Sequence, residues 1–335
     1  MIWLTWRQHR LQALAGAIGL GLLAVLLFVT HAGIANTFTS TGLARCLASP
    51  GRDCGALAEA FDQRYHGLQF VAALFLVIPI LAGLFWGAPL VARELEQGTY
   101  RLVWTQSVTR RRWFSTKLAL IAGGSLIGAA AYAELVTWWS QIFVRTHADR
   151  FNPGNFDIRG IVPIAYILFA LALGVLIGTL VRRTVPAMGA TLAGFIGVRV
   201  LINIFLRPHY LPAKIASVPV VLKGRGFLVG GPELTNGWIL KQVTFDRFGH
   251  FAYNGGGITF TPLLTSHCPS FPAPPNMPSP AQLTQCVSKL GLHTITTYQP
   301  AGRFWAFQGI ESAIYVALAA ALFLVAGWFV RRRLA

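Results

Sequence analysis

Six apolar runs, each of membrane-span length, constrain this chain more than any other feature. They cover about residues 11–30, 68–91, 118–143, 161–181, 185–205 and 310–330. A bilayer core takes about 20 residues of α-helix, so each run is long enough to cross. The expected fold class is an all-α integral membrane protein, a bundle of six transmembrane helices. Composition agrees: the chain is 54% hydrophobic and only 12% charged, where soluble domains carry roughly a quarter. A secretory signal peptide is the competing reading of the first run, with Gly33 and Ala35 as small residues at a cleavage site. The tryptophans ahead of that run and the five further spans argue instead for a retained helix.

The net charge of +17 raises nucleic acid as a partner, but the placement of the charge speaks against it. Thirteen basic residues fall in the segments that alternate to one side: two before the first run, six within 93–117, Arg182 and Arg183, and Arg331 to Arg333. The two short loops on the other side hold three each. Loops rich in Lys and Arg stay inside and are drawn to anionic lipid, so both termini are expected in the cytoplasm. Residues Met1 to Arg10 read as an interfacial helix, with Ile2, Trp3 and Trp6 toward lipid and Arg7 and Arg10 toward phosphates.

The chain divides into 1–206, with that helix and five spans; 207–309, an extracytoplasmic insertion; and 310–335, the last span with a basic tail. The insertion is rich in Pro and Gly and has no membrane-length apolar run. Val218 to Leu222, Trp238 to Phe245 and Gly257 to Phe260 alternate as strands do. Ser270 to Pro280 reads as an extended, proline-stiffened loop. Within the spans, Pro79 is placed to kink the second. Gly83-x-x-x-Gly87, Gly124-x-x-x-Gly128 and Gly174-x-x-x-Gly178 offer flat surfaces for close helix contact, although such spacings arise readily in helices rich in Gly and Ala.

The loop from Arg93 to Lys117, RELEQGTYRLVWTQSVTRRRWFSTK, carries the most specific pattern. Glu94 and Glu96 come first, then a break at Gly98 and Thr99, a short amphipathic segment with Tyr100, Val103 and Trp104 on one face, and the cluster Arg110 to Arg112. An ordinary positive-inside loop accounts for the arginines but not for Glu94, Glu96, Gly98 and Thr99. These residues resemble the first cytoplasmic loop of ABC-2 type transporter permeases. The opening MIWLTWRQHR, with Trp3, Trp6, Arg7 and Arg10, looks like the amphipathic N-terminal helix of the actinobacterial members.

The resemblance implies a type V exporter-like bundle in a bacterial plasma membrane. It would be driven by a separate cytoplasmic ABC ATPase and paired with a second permease copy or paralogue. ATP and magnesium would belong to that partner, with no cofactor in this chain. The implied coupling surface is Glu94, Glu96, Gly98, Thr99, Arg101, Trp104 and Arg110. Export of a drug, antibiotic, lipid or similar amphipathic substrate is the implied activity. The long insertion departs from the simplest family pattern and keeps two other classes open: an ATPase-coupled sensor or immunity protein, and a membrane enzyme with an extracytoplasmic site.

All four cysteines, Cys46, Cys54, Cys268 and Cys286, lie on the expected outer side, as oxidising-side disulfides do. Local pairing, 46 with 54 and 268 with 286, is the simplest of three connectivities. His267 and His293 near Cys268 raise a metal site, but no tight ligand spacing supports one. No phosphate-binding Gly-x-x-x-x-Gly-Lys-Ser/Thr loop, Gly-x-Ser-x-Gly or His-Glu-x-x-His occurs, so no catalytic residue is expected. The external Asp246, His250 and His267 read as solvated side chains.

Glu134 and Arg199 are singled out as charges inside the expected spans. At about 1.5 Å per residue, Glu134 lies roughly 25 Å beyond Lys117 and Arg199 roughly 21 Å beyond Val185. An ion pair between the third and fifth spans is therefore expected, serving either packing or a substrate gate.

Overall fold

A computed structural model describes residues 2–49, 52, 54–98, 109–146, 150–223, 226–229, 237–249, 251–254, 288–289 and 291–332. Two compact units result, one of residues 1–147, 152–207 and 305–335, the other of 148–151 and 208–304. Six helices are long and apolar enough to cross a membrane: Thr5–Ser40, Ile78–Glu96, Arg110–Thr146, Val162–Val181, Thr184–His209 and Ala301–Arg332. The chain is an all-α integral membrane protein with one small sheet.

Helix α1 (Ile2–Ser40) runs without a break through the expected interfacial segment and the first span. Two helices follow, α2 (Leu43–Leu47) and α3 (Gly55–Phe75), and a Cys46–Cys54 disulfide ties them together. Cys268 and Cys286 lie outside the described residues. The second crossing is displaced from the expected 68–91. Helix α3 stops at Phe75, and α4 (Ile78–Ala82) restarts with Pro79 in its first turn. Proline lacks an N–H, and its ring clashes with the carbonyl four residues earlier, which is that of Phe75. That freed carbonyl accepts a hydrogen bond from the Tyr132 hydroxyl at 2.8 Å. The crossing then continues through a π-turn (Gly83–Gly87) into α5 (Ala88–Glu96).

The remaining helices of this unit are α6 (Arg110–Thr146), the short α7 (Pro153–Phe156), α8 (Val162–Val181), α9 (Thr184–Leu201) and α10 (Phe304–Arg332). A π-turn (Ile202–Leu206) and a 3-10 turn (Arg207–His209) extend α9. Distant side chains close the helix starts in the α8–α9 hairpin. Gln308 Oε1 accepts from the Ile161 and Val162 amides, each at 3.1 Å, at the start of α8. Gly160 beside it has φ of 68°, and a Cβ there would meet Gln308 Oε1 at 2.8 Å, so both conformation and space require glycine.

Two of the three glycine spacings form one joint. A Cβ on Gly83 would lie 2.6 Å from the Ala170 carbonyl oxygen, one on Gly87 2.7 Å from that of Leu171, and one on Gly174 2.5 Å from that of Gly83. A Cβ on Gly178 would collide with the Ala88 carbonyl. Helix α8 thus lies backbone to backbone on the π-turn and α5. Between apolar helices in lipid, such close packing is the main source of association. The third spacing behaves differently: a Cβ on Gly124 or Gly128 would meet nothing within 4 Å.

Helices α1, α3 and α6 meet over an aromatic core containing Leu27, Ile34, Phe61, Phe75 and Trp139. Within it Trp139 Nε1 donates to Thr30 Oγ1 at 2.9 Å, and the Tyr65 hydroxyl donates to the Gly33 carbonyl at 3.0 Å.

The second unit is an antiparallel five-stranded sheet of order β2-β1-β5-β3-β4. Its strands are β1 (Lys214–Lys223), β2 (Gly226–Val229), β3 (Trp238–Phe245), β4 (Phe251–Asn254) and β5 (His293–Gln299). Two of the three expected strands are present. The third, 257–260, lies outside the described residues, as does the proline-rich 270–280. The central strand β5 buries Thr294, Thr296 and Tyr298 in alternation, and Thr294 shares a 2.9 Å hydroxyl contact with Thr244 across the ladder.

Candidate functional site

The loop 93–117 begins and ends on well-anchored helices. Gly98, with φ of 70°, ends α5 in the left-handed conformation that suits glycine after a helix. At the other side Thr109 opens α6, its hydroxyl accepting from the Arg112 amide at 3.3 Å. Thr99, Arg101 and Trp104 of the expected coupling surface lie outside the described residues, together with Tyr100 and Val103. Arg110 is the first residue of α6.

The two loop carboxylates, one largely buried and one exposed, both hold this stem. Glu94 Oε1 pairs with the Lys117 ammonium, with 12% of the glutamate and 4% of the lysine side chain exposed. That ammonium also lies 5.1 Å from the ring centroid of Trp113, a cation–π contact. Glu96 Oε2 accepts from the Thr184 amide at 2.9 Å and from the Thr184 hydroxyl at 2.7 Å. The start of α9 therefore carries an anion on its free N–H groups, where the helix dipole favours one. Glu94 fastens the stem to α6 and Glu96 fastens it to α9. Both roles bear on the position of the loop.

At the start of α1, Trp3 and Trp6 are exposed, and the Arg7 guanidinium lies 5.3 Å from the Trp3 ring. Arg10 is also exposed. Trp6 and His9 stand at one end of a cavity of about 790 Å³ between α1, the α4–π-turn segment and α6, with Ile167 of α8 also in its wall. Its walls are apolar and include Leu20, Trp86, Gly124 and Gly128. The open glycine spacing of α6 is thus a wall of this cavity.

The opposite end of the helical unit holds a buried charge cluster. Arg207 donates from Nε to Glu311 Oε2 at 2.8 Å and from Nη2 to Glu311 Oε1 at 2.6 Å, a two-pronged pair. The same Nη2 reaches Asp157 Oδ1 at 2.6 Å. Arg199 pairs with Asp157 Oδ2, and the Tyr166 hydroxyl donates to Glu311 Oε1. Arg207 and Glu311 are each 1% exposed and Asp157 4%. The guanidinium of Arg199 stacks 4.2 Å from the Tyr166 ring centroid and that of Arg207 4.5 Å from Phe156. Two arginines face two carboxylates, so the ionised cluster is neutral overall.

This arrangement corrects the expected Glu134–Arg199 pair. Glu134 is exposed on α6, whose phase turns Ala133, Val136 and Ser140 inward. Arg199 takes Asp157 instead, from the segment after α7. Equal depth along two helices carries no information on which faces meet. Nor are Glu134 and Arg199 the only charges in the apolar helices, since Lys117, Arg207 and Glu311 join them. Sequence reasoning passed over His9, Asp157, Arg207 and Glu311. Arg207 lay just past one assumed span boundary and Glu311 just inside another.

Among the described residues no cluster of His, Cys, Asp or Glu could hold a metal ion. A model of the ABC-2 membrane transporter related family matches residues 17–207. No curated protein and no solved structure matches the chain.

Proposed function

The chain belongs to the ABC-2 membrane transporter related family, and from that premise we propose that it is the permease of an ATP-driven exporter for an amphipathic substrate. A separate cytoplasmic ABC ATPase, holding ATP and magnesium, would supply the work, and two permease copies or a permease pair would form the channel. The family match, which includes the whole of the loop 93–117, is the observation that carries this reading. The fastening of that loop supports it. A push on the 99–108 segment would pass through Glu94 to α6 and through Glu96 to α9. In this reading the loop, the start of α1 and both termini face the cytoplasm, in line with their basic residues. ATP binding biases the cavity end between two arrangements, while the Asp157–Arg207–Glu311 cluster keeps α8, α9 and α10 together at the other end.

The test is co-expression with candidate cytoplasmic ATPases, followed by purification in detergent. The intact chain should retain an ATPase, and Arg101→Ala with Trp104→Ala should lose it. Glu96→Ala should keep the ATPase bound but weaken its stimulation by substrate. A well-folded chain that retains no ATPase would overturn the exporter reading.

A further inference from the structure

The cavity beside α1 has an internal polarity. Its body is lined mainly by aliphatic and small side chains with Trp86 and Tyr132, and its glycine walls at Gly19, Gly124 and Gly128 have nothing within 4 Å of an added Cβ. In the same unit Gly83, Gly87, Gly174 and Gly178 are packed to contact, so the wall at Gly19, Gly124 and Gly128 differs from that joint. Trp86 closes one side, its ring 3.1 Å from the Cβ position of Gly16.

The polar end is His9, and a chain of hydrogen bonds sets its tautomer. Gln12 Nε2 donates to the Phe85 carbonyl at 3.2 Å, within the π-turn. A carbonyl only accepts, so the amide nitrogen must face it and Oε1 must face the other way. Gln12 Oε1 lies 2.6 Å from His9 Nδ1, which therefore carries the hydrogen. In the neutral ring Nε2 is then a bare acceptor. That atom is buried and has no hydrogen-bond partner, although His9 lines the cavity. A buried acceptor left unpaired costs free energy that a bound donor would recover.

We propose that this cavity binds an amphipathic molecule whose apolar body fills the groove and whose head, an alcohol or an amine, donates a hydrogen bond to His9 Nε2. The occupant is a donor because His9 Nε2, the buried atom there that lacks a partner, can only accept. It is apolar elsewhere because the remaining wall offers little but carbon. All of its lining residues, from α1, α4 with its π-turn, α6 and Ile167 of α8, belong to one chain. Its use in transport rests on the exporter reading, but binding does not.

The experiment therefore uses the full chain in lipid nanodiscs without any ATPase. The probe is a twelve-carbon alcohol with a diazirine at its far end. Its methyl ether, which cannot donate, and the corresponding primary amine serve as parallel probes. After photolysis, labelled peptides are mapped by mass spectrometry. The alcohol or the amine should label segments 5–20 and 120–129, and whichever labels more strongly identifies the preferred head. His9→Phe, which keeps a ring but removes the acceptor, should reduce that labelling about fivefold, the worth of one hydrogen bond. The ether should label weakly in both proteins. Gly124→Leu, which fills the wall and leaves His9 intact, should suppress all three probes. Equal labelling by alcohol and ether, unchanged in His9→Phe, would overturn the proposal, as would labelling that avoids both segments. Loss of ATPase association in the co-purification test would leave this result untouched.

Discussion

At the α8–α10 end of the helical unit, both oxygens of Asp157 and both of Glu311 have partners, drawn from two arginines and a tyrosine. At the α5–α6 end, one oxygen of Glu94 is paired with Lys117 while the other is buried without a partner, and His9 Nε2 is in the same condition. The glycines repeat the contrast. Those joining α8 to the π-turn and α5 sit at contact distance, whereas Gly124 and Gly128 face a cavity. Arg207 Nη1 is buried there without a hydrogen-bond partner, but every carboxylate oxygen is matched, and because buried charge is costly to leave unmatched this end reads as a clamp. In the proposed reading, the end with spare acceptors and spare volume is the one that accepts a ligand and moves.

The largest effect expected from breaking this contrast is at the clamp. Glu311→Ala leaves Arg207 buried without its two-pronged partner, a loss that costs about 3–5 kcal/mol for a buried pair. Thermal unfolding in detergent should register it as severe destabilisation, whereas the exposed Glu134→Gln should leave the midpoint nearly unchanged. A moderate effect is expected at the glycine joint. Gly87→Ala forces a methyl group onto the Leu171 carbonyl and should cost about 1–3 kcal/mol, the usual range for overpacking. The same change at Gly124 should alter stability little, because its Cβ enters open space. The smallest effect is expected at Glu96, which is exposed. Glu96→Ala should lower the unfolding midpoint slightly at low salt and less at high salt, since an exposed helix-end anion is screened. If Glu96→Ala proved more damaging than Glu311→Ala, the assignment of clamp and mobile end would be reversed.

Much of the fold could be read from the apolar runs because membrane length is a strong and local signal. Five of the six crossings fall close to their expected places. The second moved because Pro79 acts on a carbonyl four residues away, and a hydropathy run cannot say whether a proline bends a helix or ends one. Tyr132, which satisfies that carbonyl, comes from another helix. Strand β3 was legible as an alternation. The central strand β5 was not singled out, although its Thr and Ile alternate, because the polar threonines on its buried face resemble a loop. The candidate site was least legible. Glu94 and Glu96 stood out as a pair, but their work on Lys117 and Thr184 is tertiary. The charge cluster draws Asp157 from a short connection and Arg207 and Glu311 from span ends, where a shift of a few residues decides whether a charge counts as intramembrane. His9 has no sequence signal of its own. Its meaning comes from Gln12 and the Phe85 carbonyl.

The most direct test is hydrogen–deuterium exchange on the full chain bound to its co-purified ATPase, with and without ATP and magnesium. Protection should change in residues 5–16 and 83–96, which carry the stem and the cavity end, and remain constant in 157–166 and 305–315, which carry the clamp. A nucleotide-dependent change confined to the clamp, or none in the stem of a complex that hydrolyses ATP, would contradict transmission through Glu94 and Glu96.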